Sequence, residues 1–276
     1  MSIIFPDRGE ISVLGKASAV ESKDRIGYLP EERGLYRKMR VLPFLTYMAR
    51  LKGVDSGGLH LKVMTWLHRV GLKDVARKKC EELSKGMQQK IQFIAAVLHE
   101  PELIILDEPF SGLDPVNRKL MRQLFDEQHK AGRTLIFSTH AMYEAEQLCD
   151  HLVMINRGKK VLDLPMDEIW RRFDPRTIVV EALDDHAGHH SRFAGLPGVI
   201  STGGTEAGYE LKLADGADPA AIMAAVVQGC RVRRVELKRV SVEDIFIDLV
   251  ERSGEQDIAS VRTELAADRA AEVGRA

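Results

Sequence analysis

The chain has 276 residues, with 40 basic and 41 acidic side chains and a formal net charge of -1 at pH 7. That balance excludes the strongly basic footprint of a nucleic-acid-binding surface, and the one dense basic run, Arg231 to Arg239, reads as a solvated strand and its turn. Three widely spaced cysteines, Cys80, Cys149 and Cys230, with no Cys-x-x-Cys pair, fit a reducing compartment and exclude a disulfide framework.

Apolar runs such as Phe93 to Leu98 and Ile222 to Val227 fall far below the ~18 residues that a membrane span requires. Met1 to Phe5 is apolar but stops at Pro6-Asp7, so it does not read as a signal peptide. A soluble protein of a reducing cytosol is expected, with any membrane role coming through a partner.

Glu10 to Leu14 and Arg25 to Leu29 are predicted as short strands, with Pro30 to Gly34 as the loop leaving the second. Apolar residues at three and four spacing then predict helices over Val41 to Leu51 and Leu59 to Val70, punctuated by Gly53, Gly57 and Gly58. Ser84 is placed to cap a further helix whose stripe is Ile91, Ile94, Ala95 and Leu98, ending before Pro101. Leu103 to Leu106 is a run of four apolar residues closed by Asp107-Glu108, the pattern of a strand buried on both faces. Its acidic pair emerges at the carboxyl end, where open parallel sheets bind ligands.

Pro115 to Ala131 is predicted as an amphipathic helix with Pro at its start and Gly132 as a left-handed cap. Thr134 to Phe137 is the next strand, and a strand, helix, strand sequence with short connections makes it parallel to the acidic strand. His140 is therefore expected on the same edge as the carboxylates. A hairpin follows over His151 to Ile155 and Lys160 to Leu164, then a helix over Met166 to Phe173. Strand-like runs at 177–182, 199–202, 209–213 and 232–237, with helices at 219–228 and 242–252, predict a compact α+β unit over 175–252. His186, His189 and His190 read as a linker without the carboxylate or cysteine framework of a metal site. Residues 253–276 read as a frayed helix or tail.

Taken one by one, these features have plain readings: an acidic pair at a strand end, Ser84 as a helix cap, His140 at a helix start, Glu31 as a loop charge. In this order they resemble the nucleotide-binding subunit of an ABC transporter over residues 1–170. Leu83-Ser84-Lys85-Gly86-Met87 resembles the family signature, Asp107-Glu108 resembles Walker B with the catalytic glutamate, Ser111-Gly112-Leu113-Asp114 resembles the D-loop, and His140 resembles the switch histidine. Glu31 falls where the family has its Q-loop glutamine. Leu29 to Tyr36, the Ser-Lys-Gly-Met variant and the appended C-terminal unit are similar to the drug- and sodium-efflux branch of bacterial exporters.

The resemblance implies an α/β, P-loop NTPase-like ATPase domain over 1–174, with a helical subdomain at about 38–100, and a small accessory domain over 175–252. It implies ATP and Mg2+ as cofactors. Asp107, with Glu31, would hold the metal, Glu108 would polarise the attacking water and His140 would contact the γ-phosphate. Ser84, Lys85, Gly86, Met87 and Asp114 would close on the nucleotide of the opposite subunit in a head-to-tail dimer with itself or a related ATPase. The further partner implied is a membrane permease. A soluble ABC ATPase of translation or DNA maintenance is disfavoured, since neither a tandem cassette nor a long coiled coil is present.

One element of the family pattern is absent from the 276 residues: no Gly-x-x-x-x-Gly-Lys-Ser/Thr occurs. The nearest imitation, Gly9 to Gly15-Lys16-Ala17, has an extra residue between its glycines and Ala where a metal-binding hydroxyl belongs, and is read as a turn between strands. The chain is therefore expected to start at an internal methionine of a longer protein and to bind no ATP in its own site as written. Leu103 to Leu106 and Thr134 to Phe137 are expected to expose unpaired edges, and the isolated chain to be poorly soluble. The alternative is a non-hydrolysing partner that supplies Ser84 and Asp114 in trans.

Overall fold

The computed structural model describes residues 6–17, 20–32, 34–183, 189–205 and 208–252. The expectations for Met1 to Phe5, His186 and the tail 253–276 lie outside the described residues. The chain divides into two compact units, one up to Ala141 and the other from Met142 on.

The first unit is organised on a three-stranded sheet of β1 (Ile26–Leu29), β2 (Leu103–Asp107) and β3 (Thr134–Ser138), in the order β1-β2-β3. All pairings are parallel, with Leu29 opposite Leu106 and Asp107 opposite Ser138. The buried run Leu103, Ile104 and Leu106 is the middle strand. It therefore has hydrogen-bonded neighbours on both sides, and the expectation that it exposes an edge is wrong: the β1 segment, 74 positions and three helices earlier in sequence, fills that side. β3 is terminal among the described strands, and Ile136 is 53 % exposed on it. At the amino ends of the strands, Arg25 makes a two-bond contact with Glu102, at 2.5 and 2.6 Å.

Between β1 and β2 lie α1 (Val41–Leu51), α2 (Leu59–Arg69) and α3 (Lys85–Val97). Each starts and stops as its residues dictate: Gly53 and Gly58 take the left-handed turns that separate α1 from α2, and Ser84 caps α3. The single apolar stripe expected on α3 is not what forms. Residues Gln89 to Ile94 are all buried, because α3 is enclosed by α1, α2 and β1. Phe93 reaches Trp66 of α2 and Phe125 of α4 (Pro115–Lys130), and Phe110 and Phe137 complete this aromatic chain. α4 starts on the Asp114 cap with Pro115 in its first turn and ends at Gly132, which has φ +81°.

Glu10 to Leu14 is not a strand. Among the described residues Val13 and Lys16 bridge only each other, around Leu14-Gly15, both at positive φ, a two-residue turn that β-strand alternation alone could not foresee. Gly15-Lys16 is thus a tight turn, as expected, without flanking strands.

The second unit contains two cores. α5 (Met142–Leu148), the hairpin β4 (His151–Asn156) and β5 (Lys159–Pro165), α6 (Met166–Arg172) and α9 (Val242–Arg252) enclose Ala145, Leu152, Met154, Leu162, Ile169, Val242 and Ile245. β6 (Thr177–Ala182), α7 (His189–Ala194), β7 (Val199–Thr205), β8 (Gly208–Leu213), α8 (Pro219–Gly229) and β9 (Val232–Leu237) form an antiparallel sheet of order β7-β8-β6-β9 with two helices. This is the split β-α-β topology of ferredoxin-like units. The helices cover Ile178, Val180, Leu211 and Leu213 with Phe193, Ile222 and Val226. His189 and His190 are not linker residues: they open α7, where His189 is buried against Phe193 and Tyr209 and His190 bonds the Thr202 carbonyl. In the basic run, Arg234 pairs with Glu181 and Glu236, so its charge is locally compensated.

Two features of the first unit are directly testable. A Cβ on Gly27 would lie 2.2 Å from the backbone oxygen of Ala96, so β1 packs on α3 with no room for a side chain. Gly27→Ala is expected to lower stability by at least about 2 kcal/mol, read from the shift of the urea midpoint. His99 contacts the Ile26 carbonyl through Nε2, and burial pushes its pKa down from 6.5 to about 4. The unfolded chain then takes up this proton first, so the contribution of neutral His99 is complete above pH 6.5 and is lost as the pH falls toward 4. His99→Gln should flatten the fall of stability across that window in unfolding curves taken at several pH values.

Candidate functional site

Parallel pairing puts the carboxyl ends of β1, β2 and β3 on one edge, and that edge collects the polar residues. Asp107 is the last residue of β2 and stands opposite Ser138, whose hydroxyl donates to Asp107 Oδ1 at 2.5 Å. Glu108 follows at φ +43°, a left-handed bend that turns its side chain back over the end of β3. Its backbone N–H still donates to the Ser138 carbonyl at 3.0 Å, which extends the ladder by one residue.

The Glu108 carboxylate is held at both oxygens. Oε1 accepts the His140 backbone N–H at 2.8 Å and meets His140 Nδ1 at 2.7 Å; Oε2 accepts from the Thr139 hydroxyl at 3.2 Å. Thr139 Oγ1 in turn accepts from the Ala141 N–H at 3.1 Å. Glu108 is 15 % exposed while His140 is 59 % exposed, so an oriented carboxylate sits beneath an imidazole that faces outward. Glu31 lies exposed on the bend after β1, on the same edge of the sheet.

A second cluster forms where α3 begins. Ser84 has extended backbone and accepts the Met87 N–H at 3.4 Å, a long bond that leaves its hydroxyl loosely engaged. Ser84 and Lys85 are exposed, and Gly86 and Met87 are half-buried. Gln88 fastens the approach by donating to the Cys80 and Leu83 carbonyls. Asp114 caps α4 through the Asn117 N–H at 2.8 Å, and this bond, with a second from the Asn117 side chain, holds the Asp114 carboxyl below the usual range. A Cβ on Gly86 would stand 3.5 Å from Asn117 and 3.6 Å from Leu113, so the two helix starts abut. Burial lowers the pKa of Lys90, with the Asp114 charge working against that shift.

The structure therefore gathers Asp107, Glu108 and His140 at one edge, places Glu31 on that edge, and gathers Ser84 to Met87 beside Asp114. Ser138 and Thr139 were not singled out from sequence, although two hydroxyls immediately before His140 at a strand end were the available signal. The donor set at the edge is hard oxygen, carboxylate and hydroxyl, which suits magnesium. Among the described residues no group of three or more His, Cys, Asp or Glu side chains gathers as a metal cage. A magnesium ion beside Asp107 would thus take most of its ligands from water and phosphate, its ordinary habit.

Comparison with known proteins defines the class. A family model described as ABC transporter matches residues 2–111, and one described as ATP-binding protein DrrA1-3-like, C-terminal domain, matches residues 165–250. An uncharacterized ABC transporter ATP-binding protein of Alkalihalophilus pseudofirmus is 41 % identical over 250 residues, covering 91 % of this chain and 92 % of that protein. The linearmycin resistance ATP-binding protein LnrL of Bacillus subtilis is 32 % identical over 177 residues, 63 % of this chain and 57 % of LnrL. A solved structure of an ATP-binding subunit of an ABC transporter superposes with a TM-score of 0.58 at 30 % identity, covering 62 % of this chain and 73 % of that one. The chain belongs to the ATP-binding subunits of ABC transporters and carries a DrrA-like C-terminal domain. Among its described residues no helix is long and apolar enough to cross a membrane.

Because the Ser84 cap bond is long, Ser84→Ala should cost only about 0.5 kcal/mol, the low end for a lost helix cap. A thermal melt within a few degrees of the parent would confirm it, and would free this position for functional tests.

Proposed function

We propose that this chain is the motor subunit of an exporter of drugs, ions or other small solutes, hydrolysing ATP at the edge formed by Asp107, Glu108 and His140. The observation that carries the reading is the Glu108 carboxylate, oriented by Thr139 and His140 at the carboxyl edge of a parallel sheet. Glu108 is the general base that aligns the attacking water, for which an acceptor held in one orientation is the requirement. Asp107, oriented by the Ser138 hydroxyl, would hold magnesium, and Glu31 would offer a second acceptor from the loop after β1. Magnesium, when bound, supplies charge neutralisation between the phosphates.

His140, exposed above Glu108, contacts the γ-phosphate. Ser84 with the amides of Lys85 and Gly86 forms an anion-accepting helix start that closes on the nucleotide of the facing subunit, with Met87 and Asp114 beside it. The chain works at the inner face of the cell membrane on a permease. The efflux assignment is supported by the DrrA-like C-terminal domain and by similarity to LnrL, a protein named for linearmycin resistance.

The phosphates still need the charge-assisted hydrogen bonds of a phosphate loop, at roughly 1.5–3 kcal/mol each. No such motif occurs in the 276 residues. A second reading, supported by the exposed Ser84 helix start that abuts the Asp114 turn, is that the chain hydrolyses nothing itself and supplies Ser84 and Asp114 to the nucleotide site of an intact partner subunit.

The two readings separate in one experiment on the transporter complex purified through a tag on this chain. Under the first, Glu108→Gln should lower ATP hydrolysis by about two orders of magnitude, the scale expected for loss of a general base. Under the second, Glu108→Gln is silent and Ser84→Arg abolishes hydrolysis. A complex indifferent to both substitutions would refute each reading.

A further inference from the structure

Three residues on one face of α3, Gly86, Gln89 and Lys90, are spaced as helical neighbours. Gly86 and Gln89 meet the segment that follows Glu108, and Lys90 lies near it. Gly86 abuts Leu113 and Asn117, and Lys90, whose Nζ donates to the Val70 carbonyl at 3.2 Å, lies within the field of Asp114. Gln89 makes the closest link: its Nε2 donates to the backbone oxygen of Pro109 at 3.1 Å, and the residue is only 3 % exposed.

Pro109 is the residue after Glu108. A residue before proline is pushed toward extended backbone, yet Glu108 sits at φ +43°. Such a bend persists only where surrounding contacts hold it. Two of those contacts are local to the strand ends, the Glu108 N–H to the Ser138 carbonyl and the Ser111 N–H to the Glu108 carbonyl. The third comes from a different element, the helix whose first turn carries Ser84. A buried amide on a buried carbonyl is also costly to replace, since the carbonyl left behind keeps no water.

We propose that Gln89 is a positioning residue for Glu108: its amide pins the bend that aims the carboxylate and ties that bend to the helix that begins at Ser84. This rests on the reading of Glu108 as the base. It adds that movement of the α3 start, as Ser84 engages an anion, is passed to Glu108 within the same subunit, through Gln89 and without passing through the sheet.

The test uses Gln89→Met, which keeps length and apolar volume but cannot donate, and Gln89→Glu as a second variant should the first fail to fold. Amide hydrogen exchange on the full chain is expected to quicken at least tenfold at Ser111 and Leu113, while the β2–β3 ladder and α3 keep their protection. In the purified complex kcat should fall about ten- to a hundredfold with KM for ATP unchanged. Unchanged exchange at Ser111 and Leu113, faster exchange throughout the first unit, or a rise in KM with kcat intact would each overturn the positioning role while Glu108 keeps its own. Hydrolysis that survives Glu108→Gln would instead overturn the role of Glu108, and with it the catalytic half of the proposal.

Discussion

The pairing of Asp107 with Ser138 is the constraint on which the rest depends. A parallel ladder brings the ends of two strands to the same edge, and it does so only in a register that the buried residues select. Leu103, Ile104 and Leu106 are shielded on both faces of the strand, so a slip of one residue would draw the Asp107 carboxylate toward the position that Leu106 fills. With the register fixed, the Ser138 hydroxyl falls on Asp107, the next residue turns, and Thr139 and His140 close on Glu108. Polar chemistry at the edge is thus positioned by apolar burial behind it.

The second determinant is α3, which is unusual in burying Gln89, Lys90 and Gln92 alongside its apolar residues. Burying polar groups is costly unless they are bonded. Gln89 and Lys90 resolve that cost by donating to backbone carbonyls of other elements, Pro109 and Val70. The helix is consequently attached on two sides, to the turn behind Glu108 and to the end of α2. An amphipathic helix resting on a core by its apolar stripe alone would have more freedom to shift.

Much of the site was legible because its signals are local. Four apolar residues before two acids mark a buried strand end, Ser84 and Asp114-Pro115 mark helix starts, and Gly132 marks a helix stop. Local signals also misled. Alternation over Glu10 to Leu14 suggested a strand, but a strand needs a partner strand, and among the described residues Val13 bridges only Lys16. The short helix α7 went unread, since six residues carry too little periodicity to stand out and are stabilised by packing, and of α5 only the start beside His140 was read.

The sequence by itself determined the strand that ends in Asp107-Glu108, the helix caps at Ser84 and Asp114 and the α+β character of the C-terminal part, because each element is written in residues a few positions apart, and it determined the class of protein through the order in which such short motifs follow one another. Tertiary structure alone decided that Leu103 to Leu106 is a central strand, that Ser138 and Thr139 join the site, and that Gln89 faces Pro109. These are contacts between residues 20 to 77 positions apart in the chain, and residues this far apart meet only when burial of the core brings their elements together.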